Sequence, residues 1–535
     1  MKKHLICLFL AVSLVNIYGG TKVEVWKQAE LVFNGSRCYD NPFLDVEVNA
    51  VFVSSEGDTI KRPGFWDGES TWKVRFAPTK TGKWKYTVFN NVDDKALEGN
   101  GYIDAVKYNG QVPAFKNGFV KISEDKRHFV FNNGKPFFYI GDTHWFITLE
   151  KWDECNVKGC RSQFKFMANK RAQQGFTVYQ VQTNGCPLVE DSVTSVDVSA
   201  FRDIDRKFDY LVNKGFVITT AIGSAHNYAL RLGVKGAERL AKYWVARYGA
   251  YPVIWMTAQE VDLDKHKYLD IWKAAAEEID KYDDYRHPHS AHMWDNSNAG
   301  MFDKDEWHNF NMVQGGHIIW GGGTQTKDFY KNFYGHNPVK PFLEAEANYE
   351  GLGKDKQCTT EDIRNAAYKS MLCGSLGFGY GVQGIWENCY TTEDCGCCAE
   401  WGAKSWYDGL MAEGGNQMII MKKFFQSFEW WKLEPCFDDN NRVTINSDSD
   451  KEREKAVLSS ISDKVFILYL YSKDNIAVTI KNLNKNKSYD VNWFNPRNGK
   501  YEKAAVKNIT GITEFKAPDK PSEADYLLVI KQSGK

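Results

Sequence analysis

Gly175-Phe176-Thr177-Val178-Tyr179-Gln180-Val181-Gln182 and, one helix later, Gly215-Phe216-Val217-Ile218-Thr219-Thr220-Ala221-Ile222 are the two runs on which the fold turns. Each is an apolar strand entered through a glycine that can end the preceding helix in the left-handed conformation. Helical patterning fills Arg161 to Gln174 and Phe201 to Asn213, so the local unit is helix, turn and buried strand. Working outward, further strands are expected at Phe137 to Ile140, Val253 to Ala258, His289 to Met293, Phe310 to Gln314, Lys340 to Ala345 and Gly377 to Val382. Helices are expected at Leu269 to Lys281 and Ile363 to Leu372. Eight strands alternating with helices predict a (β/α)8 TIM barrel. An open doubly wound sheet would want a G-x-G-x-x-G turn after an early strand, and none is present there.

The flanks read differently. Val46, Val48, Ala50 and Phe52 alternate at period two, as do Trp72, Val74 and Phe76, then Trp84, Tyr86 and Val88, which predicts a small β-sandwich. After Trp430 and Trp431 the chain again becomes strand-rich, as in Val465-Phe466-Ile467-Leu468-Tyr469-Leu470. The 535 residues therefore divide into an export signal at 1–20, an N-terminal β-sandwich at 21–113, the barrel at 114–437 and a C-terminal β-sandwich at 438–535. The signal rests on Lys2 and Lys3, the apolar run Leu5 to Val15, and small Gly19 and Gly20. That run is too short to span a bilayer. No membrane span is expected, and the mature chain should be periplasmic or secreted; lipid attachment through Cys7 is the lesser expectation. Sixty-eight basic residues balance 68 acidic ones, so nothing draws the chain onto nucleic acid.

Barrel enzymes place their chemistry where strands end at the carboxyl-terminal face. Val253-Ile254-Trp255-Met256-Thr257-Ala258-Gln259-Glu260 ends in an acid, and period two puts Ile254, Met256, Ala258 and Glu260 on one face. Lys340-Pro341-Phe342-Leu343-Glu344-Ala345-Glu346 does the same on a non-adjacent strand, with Phe342, Glu344 and Glu346 sharing a face. Two such carboxyl groups suit glycoside cleavage: one protonates the leaving oxygen, the other attacks the anomeric carbon or activates water. Glu260 is read as acid and base, Glu346 as nucleophile, and Glu344, one pleat deeper, as a partner of barrel polar groups. A separation of about 5 to 5.5 Å would mean retention of configuration, and roughly 6.5 to 9.5 Å inversion.

Groups suited to sugar hydroxyls and faces follow other strands: Asp142, which reads equally as a brace of the barrel mouth, and Trp145, Gln182, His226, Gln259 beside Glu260, Gln314 and His317, and Trp386. The scheme needs no cofactor and no metal. His287, His289 and His292 invite a zinc reading but lack companion ligands at other strand ends. Asp303, Asp305 and Glu306 lack a calcium-loop pattern and read as a charged turn. Cys155 with Cys160, and the cluster Cys389, Cys395, Cys397 and Cys398, read as disulfide staples of the loops after the first and eighth strands, with the pairing open.

The run Gly134-Lys135-Pro136-Phe137-Phe138-Tyr139-Ile140-Gly141-Asp142-Thr143-His144-Trp145, the Ile254-Trp255 run ending in an acid, Gln314-Gly315-Gly316-His317, and Lys340-Pro341 leading to Glu346 and Tyr349-Glu350 resemble the apiosidase-like barrel enzymes of glycoside hydrolase family 140. Asn41-Pro42-Phe43, Pro63-Gly64-Phe65-Trp66-Asp67-Gly68 and Val74-Arg75-Phe76-Ala77-Pro78 are similar to the β-sandwich often joined before such barrels. Trp493-Phe494-Asn495-Pro496-Arg497-Asn498-Gly499 is similar to their carboxy-terminal β domain, provisionally named collagen-binding. The resemblance implies a retaining hydrolase of plant cell-wall glycans, pectic or related, with the acid/base role on Glu260 and the nucleophile on Glu346. Gln259-Glu260 stands where the family pattern has glycines and an Asp, and Ala345 and Ala347 flank Glu346 where it has Gly and Pro, which puts apiose itself in doubt. The competing readings are a non-catalytic glycan-binding surface protein and an endo-acting β-glycanase on the same barrel.

Overall fold

A computed structural model of the chain describes residues 21–182, 189–263, 267–294, 300–320, 326–393, 395–437, 441–447, 449–474 and 476–534, with the side chains of 21, 191, 225–227, 320 and 396–398 excepted. The expected export signal at 1–20 lies outside the described residues. The chain falls into two compact units, Met1–Tyr108 and Asn109–Lys535.

The first unit is two sheets face to face. Thr21–Glu24, Gly99–Val106, Gly82–Asn90, Val48–Ser54 and Thr59–Pro63 form one, and Ala29–Asn34, Thr71–Phe76 and Phe65–Trp66 the other. The alternating aromatics meet between them: Phe52 stacks on Phe76 at 3.9 Å, and Trp84 meets Phe76 edge-on at 5.2 Å. Inward-facing alternation on both sheets is what drives the layers together.

The second unit holds the barrel. Its strands are β1 (Tyr139–His144), β2 (Val178–Val181), β3 (Val217–Thr220), β4 (Val253–Trp255), β5 (His292–Met293), β6 (Asn311–Val313), β7 (Phe342–Glu344) and β8 (Gly377–Val382). They run parallel in the order β4-β3-β2-β1-β8-β7-β6-β5. A parallel bridge between Trp255 and His289 closes the ring, with Trp255 N–H donating to Pro288 O at 2.8 Å and Ser290 N–H to Trp255 O at 2.9 Å. Inward residues Tyr139, Val178, Val217, Ile254, Met312 and Leu343 fill the interior as one core. The Tyr139 hydroxyl is satisfied there, donating to Gln180 Oε1 at 2.8 Å. Gly175 ends helix Gln163–Gln174 at φ 85, the left-handed conformation its position demands.

Two sequence expectations are corrected here. Phe137 to Ile140 is not one strand: Pro136–Phe137 pairs antiparallel with Phe129 and Val130 in a three-stranded sheet, and β1 starts at Tyr139. That sheet plugs the amino-terminal end of the barrel, with Phe129 edge-on to Phe310 at 5.1 Å. A continuous apolar run hides the division, because both strands are buried. Helix Ala225–Tyr248, between β3 and β4, was absent from the expected helices.

The C-terminal β domain, in the same unit, packs a six-stranded sheet against a three-stranded one. It is tied to barrel helix Thr360–Leu372 by buried charges: Arg364 Nη2 and Nε reach Asp525 at 2.6 and 2.7 Å, and the Tyr469 hydroxyl donates to the same carboxylate at 2.8 Å.

Candidate active site

The ends of β4 and β7 carry the acids. Alternation along β4 holds through Met256 in the core, then breaks: Thr257 and Glu260 take left-handed backbone, φ 49 and 53. Non-glycine residues rarely adopt that conformation, and such strain is a recurring feature of functional sites. The break lets Gln259 and Glu260 both reach the mouth, where strict alternation would send one away. Beyond β7 alternation fails too, and the expectation that Phe342, Glu344 and Glu346 share a face is corrected. Phe342 stacks on Tyr330 of helix Lys327–Tyr334 at 5.8 Å, and Glu344 accepts from the Tyr330 hydroxyl at 2.8 Å, so both face the helix layer. Leu343 and Ala345 face the core. The chain leaves strand geometry after Glu344, and only then does Glu346 come into the mouth.

Glu346 is buried among donors. Gln259 Nε2 donates to its Oε2 at 3.2 Å, His317 Nε2 to its Oε1 at 3.3 Å, and His292 Nε2 stands 3.2 Å from Oε2. The Tyr349 hydroxyl also hydrogen-bonds it, and itself accepts from Trp145 Nε1 at 2.9 Å. Gln182 in turn donates to Gln259 Oε1, which fixes the Gln259 amide with its nitrogen toward Glu346. Burial alone would push Glu346 up, but His292 and His317 outweigh it and hold the carboxyl far below the usual range. Glu260 goes the other way. Burial, then the charge of Glu346, push it up to about 7, against the opposing effects of His292 and a hydrogen bond with Gln314. The two carboxyl groups thus sense one another, and their surroundings push their titrations in opposite directions.

Trp386 lies beside this cluster, stacked on Trp401 at 5.9 Å and 5.7 Å from Tyr349. Its Nε1 donates to Gln383 Oε1 at 2.9 Å. Glu344, pushed up by burial to about 7, also accepts from Gly315 N–H at 2.9 Å and belongs to the barrel wall.

The structure brings Glu260, Glu346, Trp145, Gln182, Gln259, Gln314, His317 and Trp386 around one mouth. Asp142 is the exception and is corrected: it is fully buried on the outer side of β1, accepting from Arg171 Nε and His144 Nε2, each at 2.7 Å. A residue that points to the helix layer braces the barrel and cannot touch sugar. The side chain of His226 lies outside the described residues. His292 and Tyr349 were not read as partners of Glu346, although both stand at strand ends, which is the signal that could have found them.

No metal cluster joins the three histidines. His287 bonds Asp283 and Tyr251 O, and His289 contacts the Thr257 hydroxyl at 2.6 Å, while only His292 faces the mouth. Asp303 pairs with His336 at 2.6 Å and Asp305 with Lys273 at 2.9 Å, as a charged turn does. Among the described residues the one group spaced to hold a metal is Glu387, Cys389 and Cys395. There the two sulfurs form a disulfide, and Cys155–Cys160 is a second. Asn156 joins the two stapled loops, donating to Tyr390 O at 2.7 Å and accepting from Trp406 Nε1 at 2.8 Å.

A parallel barrel with two interacting carboxyl groups at its carboxyl-terminal end fits the class of barrel glycosidases. Residues 123–432 match the family model for the apiosidase-like catalytic domain, 22–91 match DUF5060, a domain of unknown function, and 441–531 match a model for a provisional collagen-binding domain of a collagenase. The chain belongs to the apiosidase-like family and is a glycosidase. Among solved structures, a presumptive glycoside hydrolase from Bacteroides vulgatus superposes with TM-score 0.71 at 16% identity, covering 96% of this chain and 100% of its own. A glycoside hydrolase family 5 structure from the same organism gives 0.64 at 22%, covering 80% and 96%, and a further glycoside hydrolase 0.65 at 21%, covering 80% and 99%. At these identities the likeness is one of fold. No curated protein is a significant match.

Proposed function

We propose that the chain is an exported, retaining glycoside hydrolase of plant cell-wall oligosaccharides, pectic or related. Glu260 acts as acid and then base, and Glu346 as nucleophile. The observation that carries the assignment is the placement of the pair, with Glu346 buried among the Gln259 amide, His317 and His292 and Glu260 beside it on left-handed backbone at the end of β4; the opposite shifts, Glu260 up to about 7 and Glu346 low, accord with it. An acid with its proton at neutral pH can give it to the leaving oxygen, and a carboxylate kept ionised can attack the anomeric carbon. In the first step the Glu346–C1 bond forms as the glycosidic C–O bond breaks, and the Glu260 proton moves to the departing oxygen. In the second, Glu260 takes a proton from water, whose oxygen displaces Glu346 from C1. Gln259, bonded to Glu346, is placed to hold the sugar 2-hydroxyl, with Gln314, His317, Trp145 and Trp386 lining the bound ring. Export is supported by the two disulfides, which persist in oxidising compartments. No helix among the described residues is long and apolar enough to cross a membrane.

The test is a screen against rhamnogalacturonan, arabinan, galactan and xylan oligosaccharides, with the first-formed anomer read by NMR. Glu260→Ala and Glu346→Ala should each abolish reducing-sugar release while remaining folded. Full turnover by either variant, or an inverted first product, refutes the corresponding assignment.

A further inference from the structure

The amino-terminal end of the barrel, opposite the carboxylates, carries a cavity of about 550 Å³, a size that holds one or two sugar rings. Its floor is Gly374-Ser375, just before β8, and its far side includes Ile461 and Ser462 of the C-terminal β domain. The walls are aromatic and firmly held. The Arg127 guanidinium lies 4.1 Å over the Tyr334 ring and donates to Tyr334 O at 2.6 Å. Trp430 is fixed edge-on against Phe138 at 4.9 Å, and Trp431 stands perpendicular to it, 89° away at 6.1 Å, half-exposed.

The rim is polar and carries an excess of acid over base. Lys432 is neutralised by Glu429 at 2.7 Å, and Arg127 shares the lining with the exposed acids Asp125 and Glu434. The contacts Asp125 makes, from Ser123 Oγ at 2.6 Å, Arg127 N–H at 3.1 Å and His128 Nδ1 at 3.3 Å, all fall on Oδ1. Oδ2 is left to accept from a ligand. A phosphate or other anion would meet two carboxylates, and an apolar peptide would strand the same groups without partners. A neutral ring with apolar faces and hydroxyl edges satisfies both the indole corner and the carboxylate rim.

We propose that this cavity is a second, non-catalytic saccharide site, which holds a neutral glycan segment on Trp431 with Asp125 and Glu434 accepting from its hydroxyls. It shares with the function above the expectation of a glycan ligand, but none of the mouth residues. The test uses the full chain carrying Glu346→Ala and the same four oligosaccharide sets, read by calorimetry and saturation-transfer NMR. Two classes of site are expected on the bound set. Trp431→Ala and, independently, the surface change Asp125→Ala should each weaken one class by about tenfold, as loss of an anchoring contact does. With Glu346 restored, Trp431→Ala should leave turnover of the shortest oligosaccharides unchanged. A single class untouched by both variants, or no saccharide binding at all, overturns the proposal. Binding lost with Trp431→Ala, in a chain that hydrolyses none of the four sets, upholds this site and refutes the plant-glycan reading of the mouth instead.

Discussion

Asp142 and Glu346 are both buried carboxylates beside buried histidines, and their surroundings differ in kind. Asp142, on the outer side of β1, is locked by Arg171 and His144, and His144 is locked in turn by Glu150 at 2.6 Å. Burial opposes the charge on His144, but Glu150 and Asp142 raise it to about 9. Two anions and two cations cancel there, which makes a closed and permanent brace. Among the described residues no arginine bonds Glu346. Its donors are an amide, a phenol and two imidazoles, and its neighbour Glu260 is an acid that can change its charge. A buried carboxylate with a fixed cation stabilises structure, whereas one held by adjustable donors next to a titrating partner can exchange those contacts for a reacting sugar.

The largest effects should separate the two clusters by kind. Glu346→Ala should lower kcat/KM by at least about 10³-fold with little change in the denaturation midpoint, since it removes a reacting group. Asp142→Ala should do the reverse, costing about 3–5 kcal/mol of stability by leaving buried Arg171 and His144 uncompensated, with turnover of the folded fraction kept. Comparable loss of activity at unchanged stability in Asp142→Ala would collapse the distinction. The brace also has a pH signature. The His144 pKa is raised from 6.5 to about 9 on folding, so its contribution is complete below 6.5 and disappears as pH rises through about 9. Denaturant titrations across that window should show the decline, and Asp142→Asn should flatten it.

A smaller effect sharpens the mouth. Turnover should fall as pH rises through about 7, where Glu260 loses its proton. The acid limb should lie below the ordinary carboxylate range, because Glu346 stays ionised there. In Glu346→Gln the Glu260 titration, followed by carboxyl carbon NMR, should move down from about 7 yet stay above 4.5, since the neighbouring charge goes while burial, the larger cause, remains. An unmoved midpoint would mean that the pair is not coupled.

How much of this was legible in the chain follows from which forces are local. The Gly175 and Gly215 turns and the apolar runs after them announce the barrel, because strand burial is written into consecutive residues. Glu260 and Glu346 were singled out by the rule that chemistry follows strand ends, and the structure brings both to the mouth. The face arithmetic offered for them was wrong in detail. The left-handed backbone at Thr257 and Glu260, and the departure from strand geometry after Glu344, are set by tertiary packing and leave no periodic trace. Asp142 shows the same limit: a strand-end acid has two sides to face, and only the presence of Arg171, from the following helix, decides which.

The smallest effect tests how finely the donors of Glu346 are set. Gln259 can present either its nitrogen or its oxygen to Glu346, and the choice falls to Gln182, whose amide donates to Gln259 Oε1. Gln182→Ala removes that restraint, which costs about one hydrogen bond, roughly 1 kcal/mol, in transition-state stabilisation. Gln182→Glu is the sharper change. A carboxylate cannot donate to Gln259 Oε1 and would instead draw Gln259 Nε2 toward itself, taking the donor from Glu346 and leaving an oxygen facing it. The expected result is a fall in kcat larger for Gln182→Glu than for Gln182→Ala, with KM nearly constant and the fold intact. Equal effects of the two changes would show that residue 182 fills space at the mouth without orienting the nucleophile's partner.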